Sequence, residues 1–337
     1  MKGAFLSIIA TFYLSLSCQG IAKQVEVHDP AMAKDGNTYY VFSTGPGITF
    51  YSSTDLKHYQ LAGRVFKNQP SWALRVAPRF DGHLWAPDIL HYQHKFYLYY
   101  SVSAFGKNTS AIGVATNSTL DPKAKNYQWV DQGIVVQSIP YRDNWNAIDP
   151  AVSFDEHGTP WLAFGSFWSG IKLTQLAPNL TRLASPQRWI NLARRHNSKA
   201  NNEALAGDGA IEAPFIFHHQ GYYYLFVSFD YCCRKMNSTY NIRVGRSHHI
   251  QGPYIDKAGV AMLNGGGSLV LQGNKDWVAL GHNGVYHFNS KDYMVFHAYE
   301  SADHAIQKLR ILQVHWKDGW PRVNSADLNR NTTILEP

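Results

Sequence analysis

Residues Ala147-Ile148-Asp149-Pro150-Ala151-Val152 hold one acid in an apolar frame, and a strand-like run, Pro160–Phe167 (PWLAFGSF), follows shortly after. The arrangement recurs. Val27-His28-Asp29-Pro30 precedes Tyr39–Thr44 (YYVFST), and Leu84-Trp85-Ala86-Pro87-Asp88-Ile89 precedes Lys95–Ser101 (KFYLYYS). Ile211-Glu212-Ala213-Pro214-Phe215-Ile216 precedes Tyr222–Phe229 (YYYLFVSF), and Leu280-Gly281-His282-Asn283-Gly284-Val285 precedes Asp292–Tyr299 (DYMVFHAY). Each aromatic, β-branched run is a strand by composition and length. Turns carrying Gly, Asn, Asp or Ser then lead into second strands at Ile48–Ser53, Ser110–Asn117, Gly170–Leu176, Asn241–Ser247 and Leu309–Trp316.

From Asp29 to Asp88, Asp149, Glu212 and His282 the steps are 59, 61, 63 and 70 residues. That period, with four strands per unit, predicts an all-β fold: a five-bladed β-propeller with four antiparallel strands per blade. A two-sheet sandwich could use the same strands but would not explain five polar positions recurring in phase. In a propeller the first strand of each blade lines the axis, so the five polar residues converge at one end of it. Proline beside the acid favours a strand start, which leaves the acid at the pocket mouth. Helical periodicity is almost absent; Gln187–Ala206 alone is ambiguous and reads as an insertion loop.

The composition agrees. Of 337 residues, 45% are hydrophobic and only 16% charged, which excludes a disordered, collagen-like or coiled-coil chain. Ten Trp, twenty Tyr and seventeen Phe suit β-structure and surfaces that stack on sugars. Lys2, the apolar run Ala4–Leu16, and Gly20 and Ala22 ahead of Lys23 read as a secretory signal peptide over residues 1–22. Residues 23–337 are then one catalytic domain, expected outside the cytoplasm as a monomer. No other apolar run is long enough to span a membrane. The mature chain keeps two cysteines, Cys232 and Cys233. Adjacent cysteines rarely bond each other, so a buried thiol pair is expected. A mature net charge of +6 suits an acidic polymer such as pectin, but no concentrated basic run points to nucleic acid.

Two carboxyl groups flanking a glycosidic bond suffice for hydrolysis, one protonated to assist the leaving oxygen and one ionised to activate water. Glu212, in the apolar frame AIEAPFIF, is the natural acid; Asp29, beside His28, is the natural base. Asp149 would orient the acid and hold up its pKa. Asp88 is the least secure of the set, because WAPD also serves as a strand-end feature.

The stretches VHDPAM, FSTGPGI, DGHLWAPDI, WNAIDPAV, FGSFWSGIKL, IEAPFI, YYYLFVSFDYCCR and LGHN, in this order across essentially the whole mature chain, resemble the arabinan endo-1,5-α-L-arabinanases of glycoside hydrolase family 43. The resemblance implies a five-bladed propeller that cleaves internal α-1,5 links between L-arabinofuranose units with inversion. It carries the base onto Asp29, the acid onto Glu212 and the modulator of the acid onto Asp149. It also implies an axial calcium ion whose only protein ligand is His282, an unusual shell for an ion that prefers oxygen. Asn146, Ala147, Ile148, Asp149, Ser166, Phe167, Trp168, Gly113 and Asp29 are its implied substrate contacts. Physically, Phe167 and Trp168 can stack on a furanose face, Asn146 and Ser166 can bond hydroxyls, and Trp85 beside Asp88 is a further candidate for stacking. An exo-acting or processive arabinofuranosidase shares all three carboxylates and differs in whether loops close the groove, the insertion Arg194–Asp208 being the suspect. A non-catalytic sugar-binding propeller would not need the intact Asp29, Asp149 and Glu212 set.

Overall fold

Successive side chains of a strand point to opposite faces. The second strand of each blade is an unbroken aromatic run because both faces are buried, each in a different seam between blades. Tyr40 and Phe42 pack toward the second blade, Tyr39 and Val41 toward the fifth. Phe96, Leu98 and Tyr100 face the first blade, whereas Tyr97 and Tyr99 face the third. The alternation repeats at Leu162 and Phe164 against Trp161 and Ala163, and at Tyr224 and Phe226 against Tyr223 and Leu225. Among the described residues each of the five seams thus holds an apolar core, and a smaller sixth cluster gathers Tyr240, Ala279, Tyr299 and Ala305.

The computed structural model describes residues 23–196, 208–330 and 332–335, and its sheets form the expected five blades. From the axis outward, the first blade holds Ala31–Asp35, Thr38–Ser43, Thr49–Ser53 and His58–Arg64. The second holds His83–Tyr92, Lys95–Val102, Ser110–Asn117 and Val130–Ser138, and the third Ala151–Phe154, Pro160–Phe164, Ile171–Gln175 and Ile190–Ala193. The fourth holds Ile211–His219, Tyr222–Phe229, Asn241–Ser247 and Ser268–Gln272; the fifth holds Trp277–Phe288, Lys291–Glu300, Ile306–Lys317 and Trp320–Arg322. Neighbouring strands within these blades are antiparallel, and Thr333–Ile334 adds a parallel strand beside His58–Tyr59. The ring closes where Val25 donates to the Thr332 carbonyl and accepts from Leu309 N–H. The expected signal peptide lies outside the described residues. So does most of the suspected insertion, while Ile190–Ala193 within the ambiguous stretch is the third blade's outer strand.

Each inner strand breaks at its polar motif. Asp29 (φ 49°), Ala86 (46°), Asp149 (58°), Ala213 (54°) and His282 (52°) are all left-handed. Proline follows the first four and Asn283 the fifth. A side chain of the preceding blade accepts each amide N–H. His297 Nδ1 takes Asp29 N–H at 3.0 Å, Thr44 Oγ1 takes Ala86 N–H at 2.8 Å, and Ser101 Oγ takes Asp149 N–H at 3.1 Å. Asp149 Oδ2 takes Ala213 N–H at 3.1 Å, and Ser228 Oγ takes His282 N–H at 2.9 Å. The phase of the repeat is therefore corrected: its register runs through residues 29, 86, 149, 213 and 282. Asp88 lies two residues past its break and Glu212 one before, inside strands whose ladders are irregular there.

The cysteine expectation is also corrected. Cys232 and Cys233 form a disulfide, in a turn where Cys233 is left-handed (φ 65°) and exposed.

Ser101 and Ser228 are fully buried, so Ser101→Ala or Ser228→Ala leaves an inner-strand amide without its acceptor. Each substitution is expected to lower stability by about 1–3 kcal/mol, read as a lower midpoint in urea unfolding. An unchanged midpoint would mean that these bonds do not hold the breaks.

Candidate active site

The breaks gather Asp29, Asp149, Glu212 and His282 close enough for each to influence the others' ionisation. Asp29 is ringed by donors. Its Oδ2 accepts from Thr44 Oγ1 at 2.7 Å and pairs with His28 Nδ1 at 2.8 Å, while Oδ1 lies 3.0 Å from His282 Nδ1. Burial alone would raise its pKa, but the charges and hydrogen bonds of His28 and His282 outweigh it and hold the carboxyl well below the usual range. Asp29 is built to stay ionised. His297 Nδ1 is 3.7 Å from Asp29 Oδ1 but already accepts the Asp29 amide, and burial pushes its pKa well down. It is a neutral support, not a counter-charge.

Glu212 has the opposite surroundings. Ser166 Oγ donates to its Oε2 at 2.7 Å, and Tyr240 is a second hydrogen-bond partner. Burial raises its pKa, and the nearby Asp29 charge adds to the rise. Burial likewise raises Asp149, with Glu212 and Asp29 contributing. Asp149 Oδ2 holds the amide next to Glu212, so it fixes the strand that presents the acid. Two carboxyl groups on one axis thus have separate partner sets and pKa values pushed in opposite directions, the pattern of an acid–base pair.

Of the remaining expected site residues, Ser166 lies against the acid and Phe167 keeps a half-buried ring at 5.8 Å from the Tyr231 ring. Trp85 is half-buried and sits directly before its break, in register with Glu212 and His28. Trp168 is only 2% exposed, so packing takes up most of its ring. Asn146 and Ala147 are buried supports. Asn146 Oδ1 accepts from Ser110 Oγ and Ala147 N–H donates to Ser138 Oγ, setting the approach to Ile148 and Asp149. Gly113 has a packing reason, because a β-carbon there would meet Tyr100 and Trp72 at 2.6–2.7 Å. Asp88 accepts Val152 N–H at 2.8 Å and ties the second blade to the third, while burial pushes its pKa up to about 7 and the nearby His282 charge opposes that rise.

Thr44, His297 and Tyr240 were not singled out from sequence. Tyr240 had a detectable signal in Gly281, where a β-carbon would fall 2.1 Å from the Tyr240 ring. The missing side chain makes room for the tyrosine that bonds Glu212.

His282 suits a hydrated cation. A carboxylate engages its Nδ1, the usual way of orienting a metal-binding imidazole. Asp29, Asp149 and Glu212 raise its pKa to about 9 against the effect of burial, which shows how negative its surroundings are. Next to it, the buried Asn283 amide has both polar atoms unpartnered among the described residues, as expected where water completes a shell.

A family model described as glycosyl hydrolases family 43 matches residues 21–321. The chain is 56% identical over 97% of its length to an extracellular exo-α-(1→5)-L-arabinofuranosidase of Cellvibrio japonicus, covering 94% of that protein. It is 42% identical over 88% of its length to an extracellular endo-α-(1→5)-L-arabinanase of Bacillus subtilis, covering 87% of it. A solved α-L-arabinanase of Cellvibrio cellulosa, in complex with arabinohexaose, superposes with a TM-score of 0.91 at 55% identity over 93% of this chain and all of that one. With its matching propeller and a family model spanning nearly the whole described chain, this protein belongs to glycosyl hydrolases family 43.

Proposed function

We propose that this protein is a secreted hydrolase of α-1,5-L-arabinofuranosidic links in arabinan, acting with inversion. The observation that carries the reading is the opposed pair, Asp29 held ionised and Glu212 pushed toward its protonated form. Glu212 gives its proton to the glycosidic oxygen as that bond breaks. Asp29 takes a proton from the water that attacks the anomeric carbon from the opposite face. Asp149 anchors the strand of the acid and, as a neighbouring carboxyl group, keeps the proton on Glu212. Phe167 and Trp85 offer partly exposed rings for the furanose, and Ser166 orients the acid.

Glu212→Gln is expected to abolish turnover while leaving polymer binding intact; retained turnover would remove Glu212 as the acid. Because Glu212 must be protonated to act and its pKa is raised, activity is present below that pKa and lost as pH rises through it. Asp149→Asn keeps an oxygen for the Ala213 amide but removes the titratable carboxyl group. The alkaline limb of the kcat/KM profile should therefore move down by about one pH unit, while Asp149→Ala should also lose stability. A limb that stays in place would leave Asp149 a purely structural role.

Internal cleavage is the expectation from sequence, but the relative at 56% identity is named as exo-acting and the one at 42% as endo-acting. Similarity therefore favours release from chain ends. Debranched arabinan should yield one short product with slow loss of viscosity. A rapid fall in viscosity with mixed oligomers would establish internal cleavage instead.

His282 would hold calcium, with water as the other ligands. The bound ion would supply positive charge among the buried carboxylates. Exhaustive chelation should lower both the melting temperature and kcat, and His282→Ala should do the same and no longer respond to chelator. Unchanged melting and activity after chelation would sink the calcium reading.

A further inference from the structure

The Cys232–Cys233 disulfide lies at the rim of the site with no part in the chemistry described so far. Cys232 packs against Tyr240, Ala279 and Tyr299. Cys233 N–H donates to Tyr299 Oη at 3.0 Å. Cys233 Sγ lies 3.6 Å from His28 Nε2, and Tyr299 Oη lies 3.3 Å from the same nitrogen. On its other side, His28 Nδ1 pairs with Asp29 Oδ2 at 2.8 Å, and its ring stacks on His297 at 4.3 Å. The His28 imidazole is thus held on its face by a ring, at one nitrogen by the base, and at the other by a hydroxyl and a sulfur.

We propose that the Cys232–Cys233 disulfide is a positioning element for the general base: it fixes the His28 ring and, through it, the Asp29 carboxylate. The inference rests on the arabinan-hydrolase reading above. Two separate cysteine side chains could rotate away from Nε2. A bond between neighbours closes a small ring and removes that freedom, so the sulfur stays against the imidazole. An oxidising compartment, where such a bond persists, is the one expected for this chain. Displacing a reacting group by about 1 Å can slow a reaction about 10²-fold, so a modest loosening of His28 is enough to matter.

The test is a double-mutant cycle on linear arabino-oligosaccharides with wild type, Cys232→Ser/Cys233→Ser, His28→Ala and the triple variant. The cysteine pair is expected to lose about tenfold or more in kcat, with KM within about twofold of wild type. Adding the cysteine changes to His28→Ala should produce no further loss. Phosphine reduction of wild type should reproduce the fall in kcat and leave the cysteine variant unaffected. Additive losses in the cycle would overturn the proposal, as would a rise in KM at constant kcat. Melting curves check that each variant folds. If the cysteine variant does not fold, native wild type shown by thiol titration to be fully reduced decides alone, and unchanged kcat overturns the proposal. Wild type inactive on arabinan would overturn the arabinan reading and this inference with it; active wild type with an additive cycle overturns this inference alone.

Discussion

Five left-handed residues, one at the axial break of each inner strand, are the constraint on which the ring and its site both depend. A side chain in this conformation costs about 1–2 kcal/mol, and each break turns an amide N–H toward a side-chain acceptor. An amide buried without a partner would add a further penalty. The breaks persist because the preceding blade supplies an acceptor each time, through His297, Thr44, Ser101, Asp149 and Ser228. No blade holds its own break, so the bonds run round the axis and set each blade against the last. The seams supply the apolar burial; these bonds set the register at the axis.

The same device builds the chemistry. Two of the five break residues, Asp29 and Asp149, are acids, a third is His282, and Glu212 precedes a fourth. Asp149 serves at once as an acceptor in the ring of bonds and as a second carboxyl group beside the acid, its own pKa pushed up to about 8 chiefly by burial, so stability and pKa tuning meet in one side chain. Asp29 is kept ionised by two histidines from different blades, His28 and His282. The environments diverge because imidazoles and a hydroxyl bond one carboxyl group, while the other is bonded by the hydroxyls of Ser166 and Tyr240 and buried beside the Asp29 charge.

Most of the architecture was legible in the sequence because it depends on composition. An aromatic run buried on both faces, repeated with a period near sixty residues, has few solutions other than blades around an axis. Spacing of polar residues located the axis but misplaced the phase by one or two residues at Glu212 and Asp88. The physical repeat is a backbone conformation followed by proline, and Ala86 and Ala213 carry it without a polar side chain. Thr44, His297 and Tyr240 were hidden for another reason. They come from second strands, strand ends and loops that reach the site only when blades close on one another, and nothing local marks them. The disulfide was misread because general rarity outweighed a local turn that brings the two neighbours together.

The carboxylates do not distinguish cleavage within a chain from release at its end, since either mode uses the same acid and base. The rim has to decide. On the fourth-blade side it runs from Phe167 through Tyr231, on which the Arg234 guanidinium stacks at 3.6 Å, to the disulfide and His28. The described base of the insertion is anchored to this wall: Arg195 bonds Asp230 at 2.8 Å and the Ala210 carbonyl at 3.2 Å. Asp230 directly precedes Tyr231 and the two cysteines. The described start of the suspected segment is thus joined through Asp230 to the turn that carries the disulfide. A substitution at Arg195 would therefore be felt at Asp230, directly beside the turn whose disulfide lies against His28.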